Sequence, residues 1–364
     1  MIPETKKTNH RKSLEGSTGS ILILVIFILV SMSLFSLAVG HAVRQKIQVI
    51  SRLETRQKLR KIGESAVRKS IYVLLRHRQD RLPFDALTQP WSQNEAEFQA
   101  IKINGGEFAV FYSPELPYSK TGVEQPEFRY GLTDEERRIN INRIKSPDAL
   151  QRLFMKVGVG GNDQARALAE AILDWRDEDD DASLSGAESY YYKGLRPAYL
   201  PRNGNFKTLQ ELRYVKGMTA ELYEKILPYV TIESSGLINL NTAPRPVLVA
   251  IGLDPAICDK IVAFREGRDQ REGTEDDLAF EDLSSAPQTL ANSGYLDDNE
   301  RRSLEAAIQS GVFTLKSENF SARVLAQMKY KKQALRVLAV FDDKGVIKHW
   351  EEEFVVLPLS SSGS

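Results

Sequence analysis

The stretch SILILVIFILVSMSLFSLAVG, residues 20–40, carries no charged side chain and decides how the rest of the chain is organised. An α-helix rises 1.5 Å per residue, so this stretch is long enough to cross a hydrocarbon core of about 30 Å. A secretory signal peptide would have a shorter apolar region and a small-residue cleavage site after it, whereas this run continues into a long polar segment. A buried helix of a soluble protein is disfavoured by the length of the uncharged run. The sequence therefore predicts a transmembrane helix.

The segment after the span has the pattern of an amphipathic helix. Apolar side chains recur between positions 43 and 66 at steps of three and four residues or their multiples, and no proline occurs before Pro83. This spacing predicts one continuous helix from residue 20 to about residue 78. Basic residues stand on both sides of the span, so the positive-inside rule alone does not decide its orientation.

Length and charge bound the possible functions. The chain has 364 residues, which leaves room for two folded domains beyond the anchor. Its 49 basic and 49 acidic residues balance, so no global field points to nucleic acid or to an anionic surface. The basic residues concentrate between positions 41 and 81, and acidic clusters follow at 177–181 and 275–277. We expect different partners at the two ends.

The residue types needed for catalysis are scarce. Cys258 is the single cysteine, which excludes an intrachain disulfide and a zinc site built on cysteines, and only four histidines occur. The sequence has no P-loop, no Gly-rich dinucleotide turn and no Gly-x-Ser-x-Gly. The prediction is a protein that is not an enzyme.

The remainder of the chain alternates between strand and helix patterns. Residues 98–103 and 107–113 flank Asn104-Gly105-Gly106 and predict a β-hairpin, and a third strand is predicted to end at 138–142. Helical patterns cover 148–156, 163–175, 208–215, 219–229, 246–251, 255–266 and 297–309, and strand patterns return at 311–319, 321–331, 335–342 and 346–355. The predicted fold class is α+β, with an all-α domain inserted into an α/β domain at a surface loop.

The N-terminal arrangement resembles a known family. A short basic leader, then Gly19-Ser20, then an apolar helix that becomes amphipathic is similar to the N-terminus of type IV pilins and pseudopilins. The resemblance implies that prepilin peptidase cuts between Gly19 and Ser20. It also implies a single-pass protein of the bacterial inner membrane, with a cytoplasmic leader and the bulk of the chain in the periplasm.

Position 5 of the mature chain narrows the resemblance. Most members carry Glu there, whereas this chain has Leu24, a departure that is itself typical of the K-type minor pseudopilin of type II secretion. An intramembrane carboxylate needs a partner, commonly the N-terminal amine of the subunit ahead, and a subunit at the tip has none ahead of it. Segments similar to the K family are DEERRININ at 134–142, AILDWRDEDDD at 171–181, GAESYYY at 186–192, FKTLQELRYVKGMTAELYEKILPYVT at 206–231 and INLNTAPRPVL at 238–248.

The resemblance to the general secretion pathway protein K family implies a domain organisation and a function. The expected parts are a prepilin leader (1–19), a transmembrane and amphipathic pilin helix (20–80), a pilin-like β region (81–145), an inserted helical domain of helix-hairpin-helix or SAM-like type (146–310) and the second part of the β region (311–358). The function implied is that of a tip subunit that initiates the pseudopilus and aids export of folded proteins. The implied partners are the I and J minor pseudopilins, the major pseudopilin, the inner-membrane secretion platform and membrane lipid, without nucleic acid.

One acidic loop is a candidate metal site. Its possible ligands are Asp174, Asp177, Asp179, Asp180, Asp181 and Glu188. Ca²⁺ takes six to eight oxygen ligands, and repulsion among so many carboxylates favours a cation. The spacing matches an EF-hand loop at its first three ligands and at Glu188, but Ala182 stands where the turn glycine is needed. A solvated acidic loop and a calcium site both remain open, and the family resemblance implies the second.

A second acidic loop gives a weaker candidate. Asp269, Thr274, Asp276 and Asp277 could also hold Ca²⁺, although Arg268 and Arg271 offer another way to neutralise them.

Two segments, 206–231 and 239–265, each predict a pair of helices joined by a short Gly turn, as in helix-hairpin-helix units. Such units clamp DNA phosphates with backbone N–H groups in other proteins. The second glycine of the usual motif is replaced by Thr219 and Asp254, and Asp254 would repel a phosphate. We therefore interpret the hairpins as scaffold. The alternative function is a membrane-anchored DNA-binding protein of the competence type.

Overall fold

The computed structural model describes residues 18–103, 105–112, 129–274, 276–329 and 331–357, with the backbone alone for residues 18–20. Most of the predicted leader, residues 1–17, and the end of the chain from residue 358 lie outside the described residues. The chain forms two compact units, Met1–Lys58 and Leu59–Ser364.

Helix α1, Thr18–Arg78, confirms the continuous helix predicted from residue 20 to about residue 78. In the first unit, every described side chain from position 21 to position 54 is exposed. The last turn contains Arg76, His77 and Arg78, whose basic side chains suit the negative end of the helix dipole. Pro83 follows soon after, where a helix could not continue.

The second unit contains a six-stranded antiparallel sheet in the order β1-β2-β8-β9-β10, with β3 also paired to β8. Its strands are β1 (Ile101–Ile103), β2 (Gly106–Val110), β3 (Thr133–Asp134), β8 (Asn319–Met328), β9 (Gln333–Asp342) and β10 (Ile347–Val356). The predicted hairpin is confirmed, since β1 pairs with β2. Its turn includes Gly105, whose φ of 80° favours glycine, and Asn104 lies outside the described residues.

One face of the sheet packs against the end of α1 that belongs to the second unit. Leu59, Ala66 and Leu74 are buried there with Phe108 and Val337 of the sheet. Gly63 allows the close approach, because a Cβ on this residue would lie 3.0 Å from Val337 Cγ2. A long helix laid on an antiparallel sheet is therefore the first layer of the unit.

Between the early strands and β8 lies a block of helices with its own hydrophobic core, which extends from Ile139 to Leu315. Its helices are α3 (Pro147–Lys156), α4 (Asn162–Arg176), α5 (Ser189–Lys193), α6 (Ala220–Ile226), α7 (Arg245–Ala250), α8 (Pro255–Arg265), α9 (Ala286–Asn292) and α10 (Asp298–Gln309); α2 (Glu95–Phe98) precedes the block. Short 3-10 helices, three to six residues long, occur at Glu135–Arg137, Leu209–Tyr214 and Leu227–Tyr229.

Most predicted helices are confirmed, and two segments differ. The pattern at 208–215 forms the 3-10 helix Leu209–Tyr214 and not an α-helix. The pattern at 219–229 forms α6 followed by the 3-10 helix Leu227–Tyr229, with Pro228 inside it. Helices α5 and α9 were not predicted, since five and seven residues give too little periodicity to detect.

Two predicted strands pair outside the main sheet. In the segment 138–142, β4 (Ile139–Asn140) pairs in parallel with β5 (Val230–Thr231) of the helical block. In the segment 311–319, β7 (Phe313–Thr314) pairs in parallel with β6 (Ile238–Asn239). Both short ladders belong to the core that extends from Ile139 to Leu315. The predicted boundaries at 146 and 310 lie a few residues inside the limits of that core, and the division into domains stays a prediction.

A short buried segment joins the sheet to the helical block. It consists of Asp134 and the 3-10 helix Glu135–Arg137. The Asp134 carboxylate accepts hydrogen bonds from Ser317 Oγ (2.8 Å), which precedes β8, and from Thr242 Oγ1 (2.5 Å) and Asn239 Nδ2 (3.1 Å) of the block. One buried carboxylate therefore connects both cores.

The next two carboxylates repeat this connection. Each accepts hydrogen bonds from one residue of β8 and from one residue of the helical block. The pairs are Ser321 with Thr231 for Glu135, and Asn319 with Ser235 for Glu136. The segment 134–137, which precedes the strand end predicted at 138–142, is thus a junction between the two cores.

The junction predicts a large effect of Asp134→Ala on stability. The substitution removes the acceptor of the Thr242 and Ser317 hydroxyls and of the Glu136 backbone N–H, so we expect the free energy of unfolding to fall by about 3 kcal/mol. Urea denaturation of the chain from residue 42 onward measures this. The control is Glu318→Ala, an exposed carboxylate next to Ser317, which should change stability by less than about 0.5 kcal/mol. Equal effects of the two substitutions would contradict the role of the junction.

Candidate functional site

The acidic loop lies between α4 and α5. Helix α4 ends at Arg176, Asp177 is its C-cap residue, and Glu188 is the N-cap residue of α5. Asp174 lies in the last turn of α4 and is buried. Oxygen atoms of Asp174, Asp177 and Glu188 all lie within 4.8 Å of one another. The two helix ends therefore bring three of the six predicted ligands into one group.

Asp174 organises the loop around this group. Its carboxylate accepts hydrogen bonds from Ser183 N (3.1 Å), Ser183 Oγ (2.6 Å) and Ala187 N (2.8 Å). Gly186 lies so close that a Cβ would stand 1.8 Å from Asp174 Oδ2. Only glycine fits at this position, because any side chain would displace the carboxylate.

Asp177 and Glu188 are in the opposite condition. Three buried oxygen atoms receive no hydrogen bond from the described residues. They are both carboxylate oxygens of Glu188 and Oδ1 of Asp177. A buried carboxylate without a donor is costly, and the cost is removed by a proton or by a cation. Three converging carboxylates with three unpartnered oxygens fit a hard cation such as Ca²⁺, which binds oxygen ligands only.

The pKa values show the same strain. Burial, and then the neighbouring Asp177 and Asp174 charges, raise the pKa of Glu188 to about 8. Burial and the charges of Asp179 and Asp174 raise the pKa of Asp177 to about 6. Without a cation, the folded chain therefore holds more protons than the unfolded chain between about pH 4.5 and pH 8. The contribution of this group to the free energy of unfolding falls as the pH rises through that interval.

The other three predicted ligands are exposed and serve local contacts. Asp179 Oδ1 accepts a hydrogen bond from Asp181 N (3.0 Å), and Asp180 Oδ1 accepts one from Ser189 N (3.1 Å). The hydrogen bond from Ser189 holds the pKa of Asp180 below its usual range. Asp179, Asp180 and Asp181 are therefore not among the carboxylates that converge, and their role as ligands stays a prediction.

Two residues outside the loop hold it in place, and sequence reasoning missed both. Lys216 Nζ donates hydrogen bonds to the carbonyl oxygens of Ser185 (3.2 Å) and Gly186 (2.8 Å). Asn203 Nδ2 donates to the carbonyl oxygen of Asp179 (3.1 Å), while its own buried Oδ1 receives no hydrogen bond from the described residues. Neither residue is near the loop in sequence, so no local pattern could have indicated them.

The second acidic loop is more completely satisfied by the protein itself. Oxygens of Asp269, Asp276 and Asp277 lie within 4.8 Å of one another. Thr274 Oγ1 lies 2.9 Å from Asp276 Oδ1 and 3.0 Å from Asp277 Oδ1, and its one hydroxyl proton is donated to one of them at a time. Gly273 N donates to Asp277 Oδ2. Backbone N–H groups of Arg268 and Asp269 donate to Asp276 Oδ2. This carboxylate cluster therefore depends less on a cation than the first one does.

The predicted hairpin turns are present but are used for packing. Gly217 and Gly252 have φ values of 85° and 108°, which favour glycine. Lys216, the basic residue of the first turn, is engaged with the acidic loop. Asp254 caps α8 by accepting a hydrogen bond from Ala256 N (2.8 Å). The turns thus support neighbouring elements, as expected of a scaffold.

The other predicted site residues lie in the N-terminal helix. Gly19 and Ser20 are in the helical backbone of α1, and their side chains lie outside the described residues. Leu24 is 58% exposed, like its apolar neighbours. Among the described residues, α1 is the one helix long and apolar enough to cross a membrane.

These features together define a class: a pilin-like subunit with an N-terminal membrane anchor and a helical block between its strands. The family model of type II secretion system (T2SS), protein K matches residues 137–234. A protein K of Aeromonas hydrophila is 34% identical over 171 residues, 45% of this chain and 47% of that protein. One of Pseudomonas aeruginosa is 27% identical over 279 residues, 72% of this chain and 76% of that protein. Over these residues the chain is similar to type II secretion system protein K.

A solved structure shows the same fold. The GspK-GspI-GspJ complex of the enterotoxigenic Escherichia coli type 2 secretion system contains a chain that superposes with a TM-score of 0.60. The match has 19% sequence identity and covers 84% of this chain and 99% of that one. The alignment with the Aeromonas protein spans about half of that relative's length, 47%. None of these matches supports the DNA-binding alternative.

Proposed function

We propose that this chain is a minor pseudopilin at the tip of the type II secretion pseudopilus, where it initiates assembly and aids the export of folded proteins. The observation that carries the proposal is the match to the protein K family, both in sequence and in fold. The proposed role is structural and not catalytic, which the match to proteins of the secretion apparatus supports. The proposed partners are I and J minor pseudopilins, the major pseudopilin and the inner-membrane secretion platform.

The tip position follows from two features of this chain. A subunit inside the fibre can carry Glu at this position, because the N-terminal amine of the subunit ahead neutralises it. This chain has Leu24 there and so places no carboxylate in the membrane. An unpaired carboxylate there would cost roughly 2.5 to 3.5 kcal/mol on insertion scales. The helical block inserted before β8 adds bulk that a subunit stacked above would have to avoid. Both features suit a subunit with nothing ahead of it.

The tip proposal predicts where the protein lies in assembled fibres. Deleting the gene should impair secretion and alter the number or length of pili, whereas Leu24→Glu should be tolerated or mildly harmful. Immunogold labelling should find the protein at fibre ends, and crosslinking should join it to I-type and J-type subunits. Labelling along the shaft, or efficient crosslinking of the protein to itself, would refute the proposal.

We further propose that the chain is anchored in the inner membrane with a cytoplasmic leader and a periplasmic second unit, after cleavage between Gly19 and Ser20. The basic leader, the Gly-Ser junction and the apolar helix that follows support this. Mass spectrometry of protein from cells with active prepilin peptidase should find a mature chain that begins with Ser20. An intact N-terminus at Met1 would count against the processing and against the pseudopilin role.

We propose Ca²⁺ as the cation of the first acidic loop, bound by Asp174, Asp177 and Glu188 with further oxygens of the loop, in which Asp179, Asp180 and Asp181 are also candidates. The bound ion would reduce the electrostatic repulsion among these carboxylates. The second loop, with Asp269, Thr274, Asp276 and Asp277, is a second and weaker candidate. The unpartnered oxygens of Glu188 and Asp177 are the support for the first site.

Calcium should therefore stabilise the fold, and more so at alkaline pH. At a hundredfold excess over its dissociation constant the ion adds about 2.7 kcal/mol, which corresponds to a rise in Tm of roughly 5 °C for a unit of this size. In chelator, the Tm should decline from pH 5 to pH 8, because Glu188 and Asp177 must then lose protons. Thermal melts of the chain from residue 42 onward, with chelator and with millimolar calcium, measure both effects.

Matched variants separate the ligands from the rest of the loop. Glu188→Gln should abolish the calcium response and make the decline with pH smaller. Part of the decline remains, because burial also raises the pKa of Glu136 to about 8 and that of Asp134 to about 6. Glu178→Gln, an exposed neighbour, should preserve both effects. Asp181→Asn tests whether the exposed carboxylates contribute, since loss of the response would add them to the ligand set. Identical melts of the unsubstituted protein with and without calcium would exclude the site.

A further inference from the structure

The helix that follows the span carries a group of unmatched positive charges. Residues 41–53 contain Arg44, Lys46 and Arg52 and no carboxylate, and the first acidic residue after the span is Glu54. The side chains of all three basic residues are exposed in the first unit. No described carboxylate forms an ion pair with any of them. These charges are therefore available to a partner outside the chain.

Two of the three cations lie at the depth of lipid headgroups. At 1.5 Å per residue, Arg44 and Lys46 are about 6 and about 9 Å beyond Gly40, the end of the uncharged stretch. A headgroup layer extends roughly 5 to 8 Å beyond the hydrocarbon on each side of a bilayer. The long side chains of Arg and Lys can also reach back towards the interface. By the same measure Lys58 is about 27 Å away, beyond the range of lipid phosphates.

The apolar residues of this segment continue the exposed apolar surface of the uncharged stretch. Val43, Ile47 and Ile50 are exposed and follow one another at steps of four and three residues, on one face of the helix. The apolar stripe is continuous along the chain with the uncharged stretch of residues 20–40.

We propose that Arg44 and Lys46 bind the phosphate groups of anionic phospholipids that surround the membrane helix. Both flanks of the span are basic, so selection of orientation by charge does not account for these two residues. An acidic partner helix would gain as much from Arg52 and Lys58 as from the first two cations, whereas lipid favours only the cations next to the span. The proposal rests on the membrane anchor and is independent of the tip role.

Native mass spectrometry of the full chain tests the lipid preference. The purified protein is equilibrated with equal amounts of phosphatidylglycerol and phosphatidylcholine, and the retained lipids are compared. Each cation near the surface strengthens binding of an anionic lipid about fivefold, so Arg44→Gln with Lys46→Gln should reduce the preference for phosphatidylglycerol about 25-fold. The preference should also disappear near 1 M salt, where the Debye length is about 3 Å.

The matched control is Lys58→Gln with Lys61→Gln, which removes the same charge from exposed positions farther along the helix and should leave the preference unchanged. Equal retention of both lipids by the unsubstituted protein would overturn the proposal. So would an equal loss of preference in the control. A third contrary result is that the first pair of substitutions abolishes crosslinking to other pseudopilins and leaves the lipid preference intact, which would assign the surface to protein contacts.

Discussion

The second unit depends on one constraint: three consecutive buried carboxylates must find hydrogen-bond donors in two different cores. The chain leaves the sheet after β3 and returns to it at β8, and these two strands are paired, Thr133 with Ser321 and Asp134 with Phe320. The helical block is thus attached where its two ends meet. Burial raises the pKa of Asp134 to about 6, while hydrogen bonds from Thr242 and Ser317 oppose that rise. A buried hydrogen-bond network stabilises the fold only when every acceptor has a donor. Because these donors come from both cores, the network specifies how the two cores are placed relative to each other.

The acidic loop at the end of α4 shows the other solution to the same problem. Asp174 is buried and accepts three hydrogen bonds, as the carboxylates of the junction do. Glu188 is also buried, but its two oxygens receive none from the described residues. A buried carboxylate that accepts hydrogen bonds, such as Asp174, supports the fold. A buried carboxylate without donors, such as Glu188, is stabilised by a proton or by a cation. Lys216 ties the loop to the first hairpin turn, so a change of charge in the loop acts on an element of the helical core.

The sequence predicted those features that depend on neighbours along the chain. The long helix, the hairpin and most helices of the block have periodic patterns or turn residues of their own, and their bounds agree closely. The segment 138–142 has the composition of a strand and contains one, but its partner, Val230–Thr231, is distant in sequence. The site shows the same limit. The sequence spacing predicted six acidic ligands. In the structure the ends of two helices bring Asp174, Asp177 and Glu188 together, whereas Asp179 to Asp181 do not converge with them.

The two units differ in what completes them. Leu59–Ser364 buries two hydrophobic cores of its own. In Met1–Lys58, by contrast, Leu, Ile, Val and Phe side chains from position 21 to position 53 are all about half exposed or more. At roughly 25 cal/mol per Å² of apolar surface, such a helix would be unfavourable in water, and lipid or other apolar helices must cover it. The uncharged stretch fixes lipid as the first of these surroundings. The first unit therefore depends on surroundings outside the chain, whereas the second unit has hydrophobic cores of its own.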